Sequence, residues 1–301
     1  MCYQWITKMV LAVLLFAFGL NTAYAQLNVF ACEPEWAALT QQLGGRAVKV
    51  FRATTHQQDP HYIQARPSLI AKVRRADLLV CTGADLEVGW LPLLLRRSGN
   101  GKVLAGKTGH FMAAEQVLLL EKPAILDRSL GDLHVPGNPH IHLDPRRIQK
   151  IAKALTQRLI KIDPDNSRLY QENGQNFTQQ WQQSIKEWRQ QATALQGKRI
   201  VVSHNSWVYL EQWLGLKRAA ILEPKPGIPP SSSHLSHVLT ALKQKPATMI
   251  LTASYQNSQA ARWLSKKVDI PNIELAFGPA KNESLDQWFG QIVSQLLKTS
   301  P

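Results

Sequence analysis

The chain is short of cysteine, of acidic residues and of long hydrophobic runs. Its 301 residues include three cysteines, which leaves room for one disulfide at most, and 21 aspartates and glutamates against 35 lysines and arginines. The basic residues are spread along the chain without the arm or block that nucleic-acid binding favours, so we expect no nucleic-acid partner. Beyond residue 25, no apolar run approaches the ~20 residues that a membrane-spanning helix needs.

The first 25 residues have the pattern of a secretory leader. Lys8 precedes a short apolar run over 9–20, and Ala23-Tyr24-Ala25 supplies the small residues of a cleavage site. The pattern predicts a cleavable signal peptide, residues 1–25, and release of a soluble chain into the periplasm. A membrane anchor is the alternative, and it is disfavoured because the apolar run is too short.

Two cysteines follow the leader, and each ends an apolar segment that resembles a strand, 27–32 and 77–81. Neighbouring parallel strands lie about 5 Å apart, so their ends are close enough for a disulfide in an oxidising compartment. We therefore expect a bond between Cys32 and Cys81. Two buried free thiols are the alternative.

Strand-like and helix-like segments alternate, which predicts an α/β fold with two lobes, each a mostly parallel sheet flanked by helices, joined by a long rigid helix. The first lobe is expected to contain strands at 27–32, 47–51, 77–81 and near Val103, helices at 34–43, 68–75 and 85–97, and an irregular stretch at 106–138. The expected divisions are an N-terminal lobe at 26–143, a helical linker at 144–196 and a C-terminal lobe at 197–301.

Residues 165–195 are the predicted long helix. Tyr170, Phe177 and Trp181 belong to a narrow apolar stripe in a glutamine-rich sequence, which suits an exposed strut that touches both lobes. A coiled-coil dimer surface is the alternative, but the heptad is irregular, so we expect a monomer.

Three histidines stand in constrained contexts far apart in the sequence. His61 follows Pro60, His140 follows Pro139, and His204 follows a strand-like run, at the edge where α/β sheets place ligands. Their separation excludes a local zinc finger, whereas neutral imidazoles from distant loops can form a Zn²⁺ site between lobes. His142 would point away from His140 on an extended segment, so we assign it a supporting or structural role. The other histidines have less constrained contexts: His56, His110, His134, His234 and His237.

The chain resembles the metal-specific solute-binding proteins of zinc and manganese ABC transporters. The matching segments are Asp59-Pro60-His61 with Arg66-Pro67-Ser68, Asn138-Pro139-His140 with Leu143-Asp144-Pro145, His204 before a helix with aromatic residues, and Glu223-Pro224-Lys225-Pro226-Gly227-Ile228. The resemblance implies two lobes, a rigid linking helix and a metal in the cleft between the lobes, held by His61, His140 and His204.

The third ligand position indicates the metal. Family members with a carboxylate there bind manganese and those with an imidazole bind zinc, so His204 favours Zn²⁺ as the transported ligand over Mn²⁺. Manganese members take a fourth ligand from an aspartate of the last lobe. The corresponding stretch here offers Glu283, so the fourth ligand is Glu283 or a water. The histidine-rich acidic loop of many zinc members is missing.

These features predict a periplasmic solute-binding protein that delivers zinc to an ABC permease at the inner membrane, and no enzyme activity. One alternative is a metal-independent secreted adhesin on the same scaffold. The other is a zinc hydrolase, which needs a general base near the metal, and the sequence contains no His-Glu-x-x-His pairing.

Overall fold

Two parallel sheets form the framework of the protein, as the sequence predicts. The structure, a computed structural model, describes residues 26–123, 134–225 and 227–298, so the predicted leader lies outside the described residues. The first sheet has the order β2-β1-β3-β4, with β1 Leu27–Ala31, β2 Val48–Arg52, β3 Leu78–Cys81 and β4 His110–Met112. The second has the order β6-β5-β7-β8, with β5 Arg199–Val202, β6 Lys217–Ile221, β7 Met249–Ala253 and β8 Asn272–Leu275.

Helices flank both sheets, and several begin with a proline in the first turn, where the missing amide hydrogen costs no hydrogen bond. Pro34, Pro67, Pro92 and Pro145 hold this position. The described helices are α1 Pro34–Gly44, α2 Pro67–Arg74, α3 Leu91–Ser98, α4 Pro145–Ile162, α5 Ser167–Gln191, α6 Val208–Leu214, α7 Ser232–Gln244, α8 Gln259–Val268 and α9 Leu285–Lys298. None of these helices is both long enough and apolar enough to cross a bilayer.

Three predictions for the first lobe differ from the structure. The strand expected near Val103 is a 3₁₀ turn, Gly101–Val103, because the Asn100 side chain caps it and also donates to the carbonyls of Val73 and Ala76 at the end of α2. The fourth strand is instead β4, which pairs with β3 inside the stretch expected to be irregular. The helix expected over 85–97 begins only at Leu91, since turns occupy the residues before it.

The long helix is confirmed by α5, which a 3₁₀ turn over Ala192–Leu195 extends. Its predicted stripe is buried, and Trp181 donates from Nε1 to the carbonyl of Pro145 at 2.8 Å. The stripe belongs to an apolar core that is continuous from β1 of the first sheet to β7 of the second and to α9. The lobes therefore share one core, which opposes a wide hinge motion between them. The boundaries between the lobes and the helical linker, at 143/144 and 196/197, stay a prediction.

The predicted disulfide is present between Cys32 and Cys81, whose Cα atoms are 4.8 Å apart. Strands β1 and β3 are neighbours, with Ala31 opposite Val80, so the residues at their ends are adjacent. Both cysteines are fully buried in a local apolar cluster with Phe30 and Trp90. The bond thus fastens two strands beneath the loop that carries His61.

Candidate metal centre

The three histidines singled out in the sequence converge on one point. The ligand nitrogens of His61, His140 and His204 all lie within 4.8 Å of one another. Their rings form a nearly equilateral triangle, with centroid separations of 5.6 Å, 6.0 Å and 5.8 Å. His140 and His204 are buried, and the side chain of His61 is 10% exposed. The fold thus assembles three imidazoles from separate loops into a pocket that is largely closed to solvent.

His61 is oriented by the aspartate two residues before it. Oδ1 of Asp59 accepts hydrogen bonds from the backbone amide of His61 at 3.0 Å and from its ring Nδ1 at 2.7 Å. Burial acts to raise the pKa of Asp59, but the hydrogen bonds from His61 and its positive charge have the larger effect. The pKa of Asp59 is therefore lower than its usual value. Trp90 fixes the intervening Pro60 by donating to its carbonyl at 2.9 Å. With Nδ1 engaged, Nε2 of His61 is the atom presented to the centre.

His140 repeats this arrangement with an amide. Oδ1 of Asn138 accepts from the backbone amide of His140 at 3.1 Å and from Nδ1 at 2.9 Å, and Nδ2 of Asn138 donates to the carbonyl of Asn205 at 2.8 Å. Nε2 of His140 is buried without a hydrogen-bond partner among the described residues. Burial, and then repulsion from the charged forms of His61 and His204, lowers the pKa of His140 well below its usual value. The ring is therefore neutral and ready to ligate.

His204 and its acceptor come from neighbouring strands. In the register between β5 and β6, Val202 lies opposite Ile221, so His204 and Glu223 each lie two residues beyond the last pair at the carboxyl edge of the sheet. Oε2 of Glu223 accepts from Nδ1 of His204 at 2.6 Å. All three rings are thus anchored through Nδ1 and present Nε2.

A fourth imidazole, which the sequence did not single out, borders the centre. Nε2 of His134 lies 3.2 Å from Nε2 of His61, and the ring centroids of His134 and His140 are 6.3 Å apart. The only available signal in the sequence was that His134 lies four residues before Asn138-Pro139-His140, in a stretch without periodicity.

Glu283, the fourth ligand considered from the sequence, is engaged elsewhere. Its Oε2 accepts from the backbone amide of Ala280 at 2.7 Å, and it does not belong to the ligand cluster found among the described residues. The other histidines also have structural contacts: Nδ1 of His110 lies 2.9 Å from the carbonyl of Val103, and Nε2 of His234 lies 3.0 Å from that of Ile221.

His142 faces away from the centre, although it lies in a 3₁₀ turn, Ile141–Leu143, and not on the extended segment expected from the sequence. Its Nε2 lies 3.1 Å from the carbonyl of Phe277, and its Nδ1 lies 3.4 Å from Oε1 of Glu35. Burial lowers the pKa of His142 to about 3 and raises that of Glu35 to about 8, so the two side chains form a neutral contact. They pack in the core between the first sheet and the last lobe.

The chain is similar to known proteins over most of its length. A family model described as the periplasmic zinc-uptake complex component A, ZnuA, matches residues 29–297. The high-affinity zinc uptake system protein ZnuA of Bacillus subtilis is 26% identical over 213 residues, which cover 70% of this chain and 65% of that protein, so the match spans less than two thirds of the relative's own length. The manganese ABC transporter substrate-binding lipoprotein PsaA of Streptococcus anginosus is 23% identical, with 83% of this chain and 79% of that protein covered.

Among solved structures, a crystal structure of ZnuA superposes with a TM-score of 0.77 at 19% sequence identity. The superposition covers 92% of this chain and all of the other. At that identity the likeness concerns the fold: two parallel sheets with helices on their faces.

Proposed function

The chain belongs to the ZnuA family of metal ABC transporter substrate-binding proteins, and from this membership we propose that it captures Zn²⁺ in the periplasm and delivers it to an ABC permease at the inner membrane. The observation that carries the proposal is the common orientation of His61, His140 and His204. Each ring has its Nδ1 engaged by a side-chain oxygen, which fixes the tautomer and aims Nε2 at one point.

Donor chemistry supports zinc over manganese. Zn²⁺ binds imidazole nitrogen readily, whereas Mn²⁺ prefers carboxylate, carbonyl and water oxygen. Asp59 and Glu223, the acidic residues that line the adjoining cavity among the described residues, accept from the ring nitrogens of His61 and His204. The atoms presented to the ion are therefore nitrogens, and zinc is the proposed cargo.

We assign the fourth ligand position to His134 in place of Glu283. In a tetrahedral zinc site with Zn–N bonds of about 2.0–2.1 Å, neighbouring ligand nitrogens are roughly 3.3–3.4 Å apart. The separation of 3.2 Å between the Nε2 atoms of His61 and His134 is close to this edge length. An ion bound to both Nε2 atoms would take the place of the direct contact between the two rings.

The same arrangement disfavours a zinc hydrolase. Such an enzyme needs a general base beside the metal-bound water. Asp59 and Glu223, the acidic residues that line the centre among the described residues, are committed to orienting imidazoles. Binding without turnover is the function that this donor set supports.

A calorimetric titration tests the proposal. Protein from which metal has been removed by chelation is titrated with Zn²⁺ and separately with Mn²⁺. We expect one zinc ion per chain and much weaker binding of manganese. A chain that retains no zinc, as a metal-independent adhesin would behave, would refute the proposal.

A further inference from the structure

A cavity of about 690 Å³ opens directly from the metal centre, and His61 and His204 form part of its wall. A single metal ion occupies only a small fraction of such a volume, whereas cavities of roughly 300–1,000 Å³ are typical of sites for small organic molecules. His134 and His140 do not line the cavity, so it meets the centre at the edge between His61 and His204. A donor atom held in the cavity would therefore reach the ion from that edge.

The wall of the cavity is shaped for an organic ligand. One side is apolar and rigid, with Pro229 and Pro230 in the loop before α7 and with Trp263 on α8. Gln256 and Asn257 add amide groups, which can hydrogen-bond to amino, carboxylate or imidazole groups. Trp263 is 36% exposed, although it is a large aromatic side chain, so part of its ring is available to pack against a ligand.

The charge of the wall restricts the ligand further. Asp59 and Glu223 contribute carboxylates, and no lysine or arginine of the described residues lines the cavity. A polyanionic chelator would therefore meet negative charge on the wall with no lysine or arginine to pair with its groups that do not bind the metal. A cationic or neutral complex of the metal with a nitrogen-donor chelator is compatible with this wall.

Building on the proposed function, we propose that the cavity accepts Zn²⁺ as a complex with a small amino-acid-type chelator, which supplies a further ligand to the ion held by His61, His140 and His204. Zinc accommodates this by expanding from four to five ligands, as it does in catalytic sites. The chelator keeps one donor on the ion and packs its remaining atoms against Trp263 and the prolines.

Equilibrium dialysis with labelled L-histidine as the probe tests the proposal. We expect about one histidine per chain to be retained when zinc is present and none when zinc has been removed. Labelled citrate, an anionic chelator, should not be retained. Trp263→Ala should keep its zinc but bind histidine roughly tenfold more weakly, which is the loss of one aromatic contact, and Trp263→Phe should recover most of it. Leu118→Ala, a change at another exposed apolar residue outside the cavity, should have no effect.

Other outcomes would overturn the proposal. Four outcomes would each show that the cavity does not take such a complex: no histidine retained although zinc is bound, zinc stripped as histidine is added, histidine retained equally without zinc, or citrate retained as well as histidine. If the protein alone retained no zinc, the proposed function itself would fail, so the two failures are distinguishable.

Discussion

The Nε2 atoms of His61 and His134 lie 3.2 Å apart, although 73 positions separate the two residues in the sequence. Such an approach places two nitrogen lone pairs, or a lone pair and an N–H, at the distance that two ligands of one zinc ion have. This separation is the basis for proposing His134 as the fourth ligand of the centre.

His134→Ala should therefore weaken zinc binding, by about ten- to a hundredfold, because three anchored imidazoles still hold the ion and a water can take the fourth position. Calorimetry with a competing chelator measures the change. His110→Ala is the matched control, since His110 belongs to the same stretch but contacts the carbonyl of Val103. Unchanged affinity in His134→Ala would exclude it as a ligand.

Glu223 should matter as a positioning residue that orients His204. Removing an acceptor of this kind costs about ten- to a hundredfold in metal affinity. We expect that loss in Glu223→Ala and a smaller one in Glu223→Gln, which keeps an oxygen that can accept from Nδ1. Glu115→Ala, at an exposed glutamate outside the centre, is the control. Equal losses in the Ala and Gln variants would contradict an orienting role.

The metal-free protein should be most stable in mildly acidic solution. Burial raises the pKa of Glu35 to about 8 and that of Glu87 to about 7. The stability that these protonated carboxyls contribute is therefore complete below their pKa in the unfolded chain, about 4.5, and is lost as the pH rises through 7–8. The pKa of His142 is lowered to about 3, so its contribution is present above the unfolded value of about 6.5 and is lost as the pH falls toward 3.

Together these opposite shifts predict a maximum in the melting temperature at about pH 4.5, because above that pH the two glutamates lose more stability per pH unit than His142 gains. Thermal unfolding of chelated protein from pH 4 to pH 9 measures it. Glu87→Gln should flatten the alkaline side and leave the acidic side unchanged. A melting temperature that climbs steadily from pH 5 to pH 8.5 would disagree with these burial effects.

Reduction of the Cys32–Cys81 bond should lower stability more than metal affinity. The bond closes a loop between residues 49 positions apart. For a loop of that size, the chain-entropy estimate is roughly 4 kcal/mol of stability. The bond lies beneath the loop of His61, yet it contacts none of the ligands. The double variant Cys32→Ser/Cys81→Ser is compared with the parent chain by denaturant unfolding, which measures stability, and by zinc titration, which measures affinity. Equal losses of stability and of zinc affinity would show that the bond also shapes the site.

Much of the centre could be predicted from the sequence because its residues are locally constrained. Asp59-Pro60-His61 and Asn138-Pro139-His140 share one local pattern, in which a side-chain oxygen accepts from both the backbone and the ring of the histidine two residues later. Proline fixes the backbone between the two residues. Such a unit orients its imidazole through local contacts, which distant contacts from Trp90 and Asn205 reinforce.

The remaining features depend on tertiary contacts. The pairing of His204 with Glu223 follows from the register of β5 and β6, which local sequence does not encode. His134 lies in an irregular stretch where no periodicity indicates direction. Strand β4 has only three residues, and its position is set by pairing with β3 more than by its own composition. The fold class, by contrast, follows from alternating patterns that are repeated over the whole chain.

The most direct test of the central claim, that the Nε2 atoms of three anchored imidazoles hold zinc, compares zinc titrations of His140→Ala and His142→Ala. The two histidines are buried two residues apart, but only His140 belongs to the ligand cluster. We predict that His140→Ala weakens zinc binding by orders of magnitude, whereas His142→Ala, once shown to be folded, weakens it modestly. Affinity close to that of the parent chain in His140→Ala would contradict the account.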